Sequence, residues 1–138
     1  CMNQELKPMV NQIEIHPFFQ QNTALRVMED YGVVPQAWGP FSEAQKDIFN
    51  HKTLAKIASR HGKTTAQVIL RWHLQRKIPV IPKTVHQERM AENLDVFDFE
   101  LTAKEMESIA GMDIGHSEII DHHCFSTARQ LNSVKIHA

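Results

Sequence analysis

Lys83, Thr84, Arg89, Glu92 and Asn93 fall in one short stretch, Ile81-Pro82-Lys83-Thr84-Val85 followed by His86 through Asn93. An apolar run ending in lysine, then a turn and the start of a helix, sets an ammonium group beside a helix N-terminus, with a guanidinium one turn in. That combination suits a phosphate carried by a hydrogen-bonding ring system. Backbone N–H groups and the helix dipole favour the anion, a guanidinium grips it with two donors, and lysine adds a compact charge. Glu92 and Asn93 lie three and four residues beyond Arg89, hence on its helix face. The competing account is a solvated helix face with an Arg-Glu surface pair of small worth, and spacing alone favours it.

The elements that must position these residues follow from periodicity and punctuation. Met9 to Ile15 is β-rich and stops at His16-Pro17. Thr23 to Tyr31 has near-helical spacing of Leu25, Val27 and Met28 and ends at Gly32, a good C-terminal cap. Val33 to Trp38 is strand-like, and the loop through Gly39, Pro40 and Ser42 has no strong period. Two helices are expected next. Leu54, Ile57 and Ala58 mark one ending at Gly62, while Thr64 caps a second with Val68, Ile69, Trp72 and Leu74 on a broad apolar stripe that assigns Trp72 to the core. Ile78 to Pro82 is short and apolar, as a strand covered on both faces should be, and His86 to Leu94 supplies its helix. Thr102-Ala103-Lys104-Glu105 is a capping box that predicts a last helix to about Ala110, after which the pattern fades into a polar tail.

Repeated strand-helix units with apolar strands argue for an α/β fold with a parallel sheet and outer helices. The chain has 138 residues. An eight-fold α/β barrel typically needs about 250, and about three units do not close one. Residues 1–110 are expected to form part of such a barrel and residues 111–138 a C-terminal tail.

Charge excludes some functions. Lys and Arg number 15 against 16 Asp and Glu, for a formal net charge of −1, so no field large enough to recruit nucleic acid is expected. No apolar run approaches the roughly 20 residues of a membrane span. Cys1 and Cys124 sit at opposite ends with no framework spacing, which fits a reducing cytoplasm. The chain opens on Cys1 rather than methionine, so its natural start is expected elsewhere.

Several phrases, in order, resemble the aldo-keto reductases. They are Leu6-Lys7-Pro8-Met9-Val10-Asn11-Gln12-Ile13-Glu14 with His16-Pro17, then Ala37-Trp38-Gly39-Pro40. His61-Gly62-Lys63-Thr64 with Ala66-Gln67 and Leu70-Arg71-Trp72 follows, then Ile81-Pro82-Lys83-Thr84, Arg89, Glu92-Asn93 and Phe97 to Thr102. As an ordered set from about residue 6 to 110 they are specific. Trp38-Gly39-Pro40 looks most like bacterial members such as the 2,5-diketo-D-gluconate reductases. The resemblance implies strands six to eight of a TIM (β/α)8 barrel and an NADPH-dependent oxidoreductase that reduces small carbonyl substrates.

The resemblance also assigns roles to residues. Lys83, Thr84, Val85 and Arg89 are implied for the 2′-phosphate of NADPH, and Glu92 and Asn93 for adenine. Trp38, with Gly39 beside it, is implied to stack on the nicotinamide, against the alternative of a core tryptophan. Gln12 alternates with Glu14 and His16 on one strand face, opposite Asn11, Ile13 and Ile15. It is implied to bond the carboxamide, against the alternative of a satisfied buried glutamine. The family's tyrosine, lysine, aspartate and histidine lie on earlier strands, and no phrase here matches them. Tyr31 sits at a helix end, and His16-Pro17 belongs to strand six. No catalytic residue is therefore assigned, and this chain alone is expected to be inactive. It is expected to self-associate, or to pair with the missing N-terminal half, through exposed sheet edges.

Asp121-His122-His123-Cys124 spells the signature of the membrane palmitoyltransferases. Those enzymes need a cysteine-rich zinc domain and membrane spans, so the match is rejected. A zinc site from His116, His122, His123 and Cys124 has suitable ligand types but an unfamiliar spacing, and no metal is assigned. The alternative to a reductase fragment is a stand-alone nucleotide-binding or interaction module without chemistry.

Overall fold

The computed structural model describes residues 5–117, 119–120 and 125–133. Its elements are β1 (Val10–Glu14), α1 (Asn22–Tyr31), β2 (Val34–Trp38), a 3-10 segment (Ser42–Asn50), α2 (Lys52–His61), α3 (Thr65–Gln75), α4 (Gln87–Leu94), α5 (Ala103–Ala110) and α6 (Phe125–Ser133). β1 and β2 pair in parallel, in a register that runs from Val10 opposite Val34 to Glu14 opposite Trp38. α1 forms the crossover between them.

The helix ends are where local chemistry puts them. Gly32 closes α1 with φ +67°, donating its N–H to Glu29 O and Met28 O, and Gly62 closes α2 with φ +63°. Left-handed backbone of this kind is nearly free of strain only for glycine. Thr64 and Gln67 form a reciprocal capping box on α3, as Thr102 and Glu105 do on α5. Thr102→Ala removes the acceptor for the Glu105 N–H, which the Thr102 hydroxyl holds at 3.3 Å. It is expected to cost about 1 kcal/mol, read as a lowered urea midpoint at unchanged slope.

The core lies between the two strands and α2, α3 and α5. Ile15, Ala37, Leu54, Ile57, Val68, Ile69, Trp72, Ile78 and Ile109 are all buried in it. Trp72 is 1% exposed, as the apolar stripe of α3 requires.

The expected third strand, Ile78 to Pro82, is reduced to one parallel bridge between Ala37 and Val80, with Ala37 N donating to Pro79 O at 2.9 Å. Pro79 and Pro82 have no N–H to give, so a continuous ladder cannot form. The chain keeps the strand's place beside β2 with this one bridge in place of a ladder. The segment expected as a plain loop after Pro40 contains the 3-10 turns. It is broken by non-helical backbone from Glu43 to Asp47, with positive φ at Ser42, Glu43, Ala44, Lys46 and Asp47.

Beyond α5 the chain turns back over β1. Ile114 N donates to Phe18 O at 2.8 Å, and Ser117 Oγ donates to Glu14 Oε2 at 2.6 Å. The tail also contains α6, which the sequence reading did not anticipate. Asp121, His122, His123 and Cys124 lie outside the described residues. Among those described, no helix is long and apolar enough to cross a membrane.

Candidate functional site

Two cavities open side by side at the C-terminal ends of the strands. One, of about 410 Å³, lies between the start of α3 (Thr64, Thr65, Ala66) and α4 (Arg89, Glu92, Asn93), with Lys83 and Thr84 between them and Phe41 and Phe49 at the mouth. The other, of about 510 Å³, is lined by Gln12, Ala37, Trp38, Gly39, Pro40, Ile81 and Lys83, with Phe41, Glu43, Ala44 and Phe49 from the irregular loop. Lys83, Phe41 and Phe49 line both, so the two cavities adjoin along these side chains as one groove.

The sequence placed Lys83, Thr84, Arg89, Glu92 and Asn93 together, and the fold brings them to one end. Lys83 and Arg89 have no hydrogen-bond or ion-pair partner among the described residues, so two uncompensated cations face that end. Thr84 Oγ1 accepts from His86 N at 3.1 Å, which shapes the turn into α4. An anion entering here meets both charges and the open first turn of a helix. Val85 is set apart: its side chain is 82% exposed and lines neither cavity.

At the other end Trp38 is half-buried and forms a wall rather than joining the core. Gly39, buried beside it, has φ +58°, and a Cβ there would meet Ile119 Cδ1 at 3.4 Å. A side chain at this turn would be strained and would push against the tail. Gln12 is exposed, and its Nε2 donates to Gln36 Oε1 at 2.9 Å across the register pair. It is thus not a buried, satisfied core glutamine, and its amide lies on the groove lining.

Beneath this end, Glu14 Oε1 lies 2.9 Å from His16 Nε2 while Oε2 takes the Ser117 hydroxyl. Burial pushes the His16 imidazole below its ordinary range, against the raising influence of Glu14. The pair is a buried hydrogen bond under the strand end.

Phe41 and Phe49 were missed by sequence reasoning, and their rings stand 5.5 Å apart across the loop. Nothing periodic in that loop marks them. Thr65 and Ala66 carry no site signal in sequence, and their place in the first turn of α3 is what makes them a groove wall.

The chain belongs to the aldo/keto reductase family, whose family model matches residues 2–114. It is 45% identical over 108 residues to an aldo-keto reductase of Mycolicibacterium smegmatis, covering 78% of this chain and 38% of that protein. It is 40% identical over 108 residues to the methylglyoxal reductase DkgA of Escherichia coli, covering 78% of this chain and 39% of DkgA. Of solved structures, an aspartate-to-alanine variant of Gox0644 in complex with NADPH superposes with TM-score 0.80 at 37% identity, over 95% of this chain and 45% of that one. Apo Gox0644 gives 0.76 at 42% identity, over 80% of this chain and 41% of that one. The chain thus spans about two fifths of the length of the curated relatives it matches. Its fold is part of their α/β barrel.

Proposed function

We propose that this chain forms the cofactor-binding part of an NADPH-dependent aldo/keto reductase acting on small carbonyl compounds, with residues 111–138 as its C-terminal tail. The observation that carries it is the groove with Lys83 and Arg89, neither paired among the described residues, at one end and Trp38, Gly39 and Gln12 at the other. The donor set fits the cofactor: two cations for a 2′-phosphate, Glu92 and Asn93 for an adenine edge, an indole wall and an amide for a nicotinamide carboxamide. Val85, adjacent to Thr84, would contribute its backbone rather than its side chain.

NADPH, when bound, supplies the hydride that reduces a carbonyl carbon. The chain's own part is binding and orientation. Trp38 would stack on one face of the nicotinamide, which would leave the opposite face for substrate. Gln12 fixes the ring's rotation through its amide. Lys83 and Arg89 select the phosphorylated ribose, since a cofactor lacking that phosphate leaves both cations unanswered. No residue of this chain is proposed as proton donor. That group is assigned to barrel segments outside this sequence, and the chain alone is proposed to be inactive.

Leu6, Met9, Ile81, Val85, Leu94 and Phe97 are each more than 60% exposed. Apolar surface of that kind supports pairing with the remaining barrel segments or with a second copy.

The test is an assay with NADPH and methylglyoxal, chosen because relatives carry the names methylglyoxal and glyoxal reductase. The chain alone should quench its tryptophan emission on NADPH addition and show no turnover. Turnover should appear when the N-terminal part of a family barrel is supplied in trans. Quenching without turnover in any combination would favour a non-catalytic nucleotide-binding module, and absence of quenching would reject both.

A further inference from the structure

α4 carries Arg89, Glu92 and Asn93, yet it has no buried residue and no side-chain cap at His86. Packing into the core does not fix it. Polar side chains at the start and along one edge of α3 do, Gln67 through α4 itself and the others through the segment that follows it. Gln67, Arg71 and Gln75 recur every four residues, hence on one face of α3, with Lys63 just before its Thr64 cap, and each of the four reaches the segment from Glu92 to Leu101. Lys63 Nζ bonds Asp95 Oδ2 at 2.8 Å and Asp98 Oδ2 at 2.7 Å. Arg71 donates to Val96 O at 3.2 Å and Glu100 Oε1 at 3.0 Å. Gln75 exchanges two bonds with the Leu101 backbone, at 3.0 and 2.7 Å.

Gln67 is the member at the groove. Only 4% exposed, it uses both ends of its amide. Oε1 accepts from Thr64 N at 2.9 Å, closing the α3 capping box, while Nε2 donates to Glu92 O at 3.2 Å and to Asp95 O at 2.8 Å. Its Nε2 also lies 3.2 Å from Asp95 Oδ2. One side chain therefore ties the last turn of α4 to the first turn of α3, and these two turns are the opposing walls of the phosphate end. On the cofactor assignment above, we infer that Gln67, assisted by Lys63, is a positioning residue that sets the width of the phosphate and adenine end of the groove and holds Arg89, Glu92 and Asn93 across from Thr64, Thr65 and Ala66.

Gln67→Glu on the full chain separates this role from simple capping. The carboxylate still accepts from Thr64 N, but it has no donor for the α4 carbonyls and repels Asp95. Hydrogen exchange at residues 87–95 should accelerate by about tenfold, with residues 54–58 unchanged. In parallel titrations the preference for NADPH over NADH should shrink by about tenfold, the equivalent of one charge-assisted bond lost from its place. Lys63→Met, which alters a partly exposed clamp, should do the same to a smaller degree and serves if Gln67→Glu does not fold. Unchanged exchange at 87–95 in the variants overturns the inference whatever the nucleotides do. Faster exchange with the preference intact also overturns it, leaving a merely structural tie. A wild-type chain with no NADPH preference would instead reject the cofactor assignment, and the exchange data would still decide whether the tie holds α4.

Discussion

Lys83→Ala combined with Arg89→Ala is expected to weaken NADPH binding by about 100-fold and NADH binding by less than about threefold, since each charge-assisted contact to the phosphate is worth roughly 1.5 kcal/mol. The asymmetry follows from the groove. Both cations lack protein partners among the described residues, so removing them leaves no carboxylate stranded and no core disturbed. Isothermal calorimetry with both nucleotides checks it. Single variants should each lose about tenfold. An equal loss for NADH and NADPH would show that the pair supports α4 and does not read the phosphate.

The second large effect concerns acid stability. His73 is fully buried, with Nδ1 2.8 Å from Ile69 O and Nε2 3.0 Å from Ile15 O. A neutral imidazole has one N–H and can satisfy only one carbonyl, while the imidazolium that could satisfy both is opposed by burial. Burial wins. It lowers the group from 6.5 to about 4, against the two carbonyls that raise it. The folded value lies below the unfolded one, so between those limits the unfolded chain binds more protons.

Stability from this group is complete above about pH 6.5 and declines as pH falls toward 4, by about 3 kcal/mol in all. His16, also lowered by burial, acts in the same direction. Urea midpoints from pH 8 to pH 4 should fall accordingly, and His73→Gln, which keeps a donor for one carbonyl, should reduce the slope. A midpoint independent of pH over this range would contradict the neutral buried imidazole.

Much of the architecture was legible because it rests on local chemistry. Gly32 and Gly62 end helices at positive φ, and Thr64 and Thr102 begin them with capping boxes, each visible as a residue type at a fixed offset. The apolar strands identified a parallel sheet, and the ordered phrases identified the family. The apolar third segment looks like a strand in sequence, but Pro79 and Pro82 have no N–H to give and leave one bridge.

The groove's composition was legible only where charge marked it. Lys83 and Arg89 stand out in sequence, whereas Phe41 and Phe49 sit in a loop whose backbone leaves helical geometry. The α3 edge row escaped notice for a different reason. Polar residues four apart on a helix look like a solvated face until the segment they bind is in place. α6 gave no signal because Phe125, Ala128 and Leu131 are its only apolar residues and do not form a full stripe.

The most direct measurement is a calorimetric titration of the unmodified chain with NADPH and, separately, with NADH. A groove built as described binds one NADPH per chain, with a preference over NADH of at least about 30-fold that disappears in the Lys83→Ala, Arg89→Ala double variant. Equal affinity for the two nucleotides, or a preference that survives removal of both cations, would contradict the account.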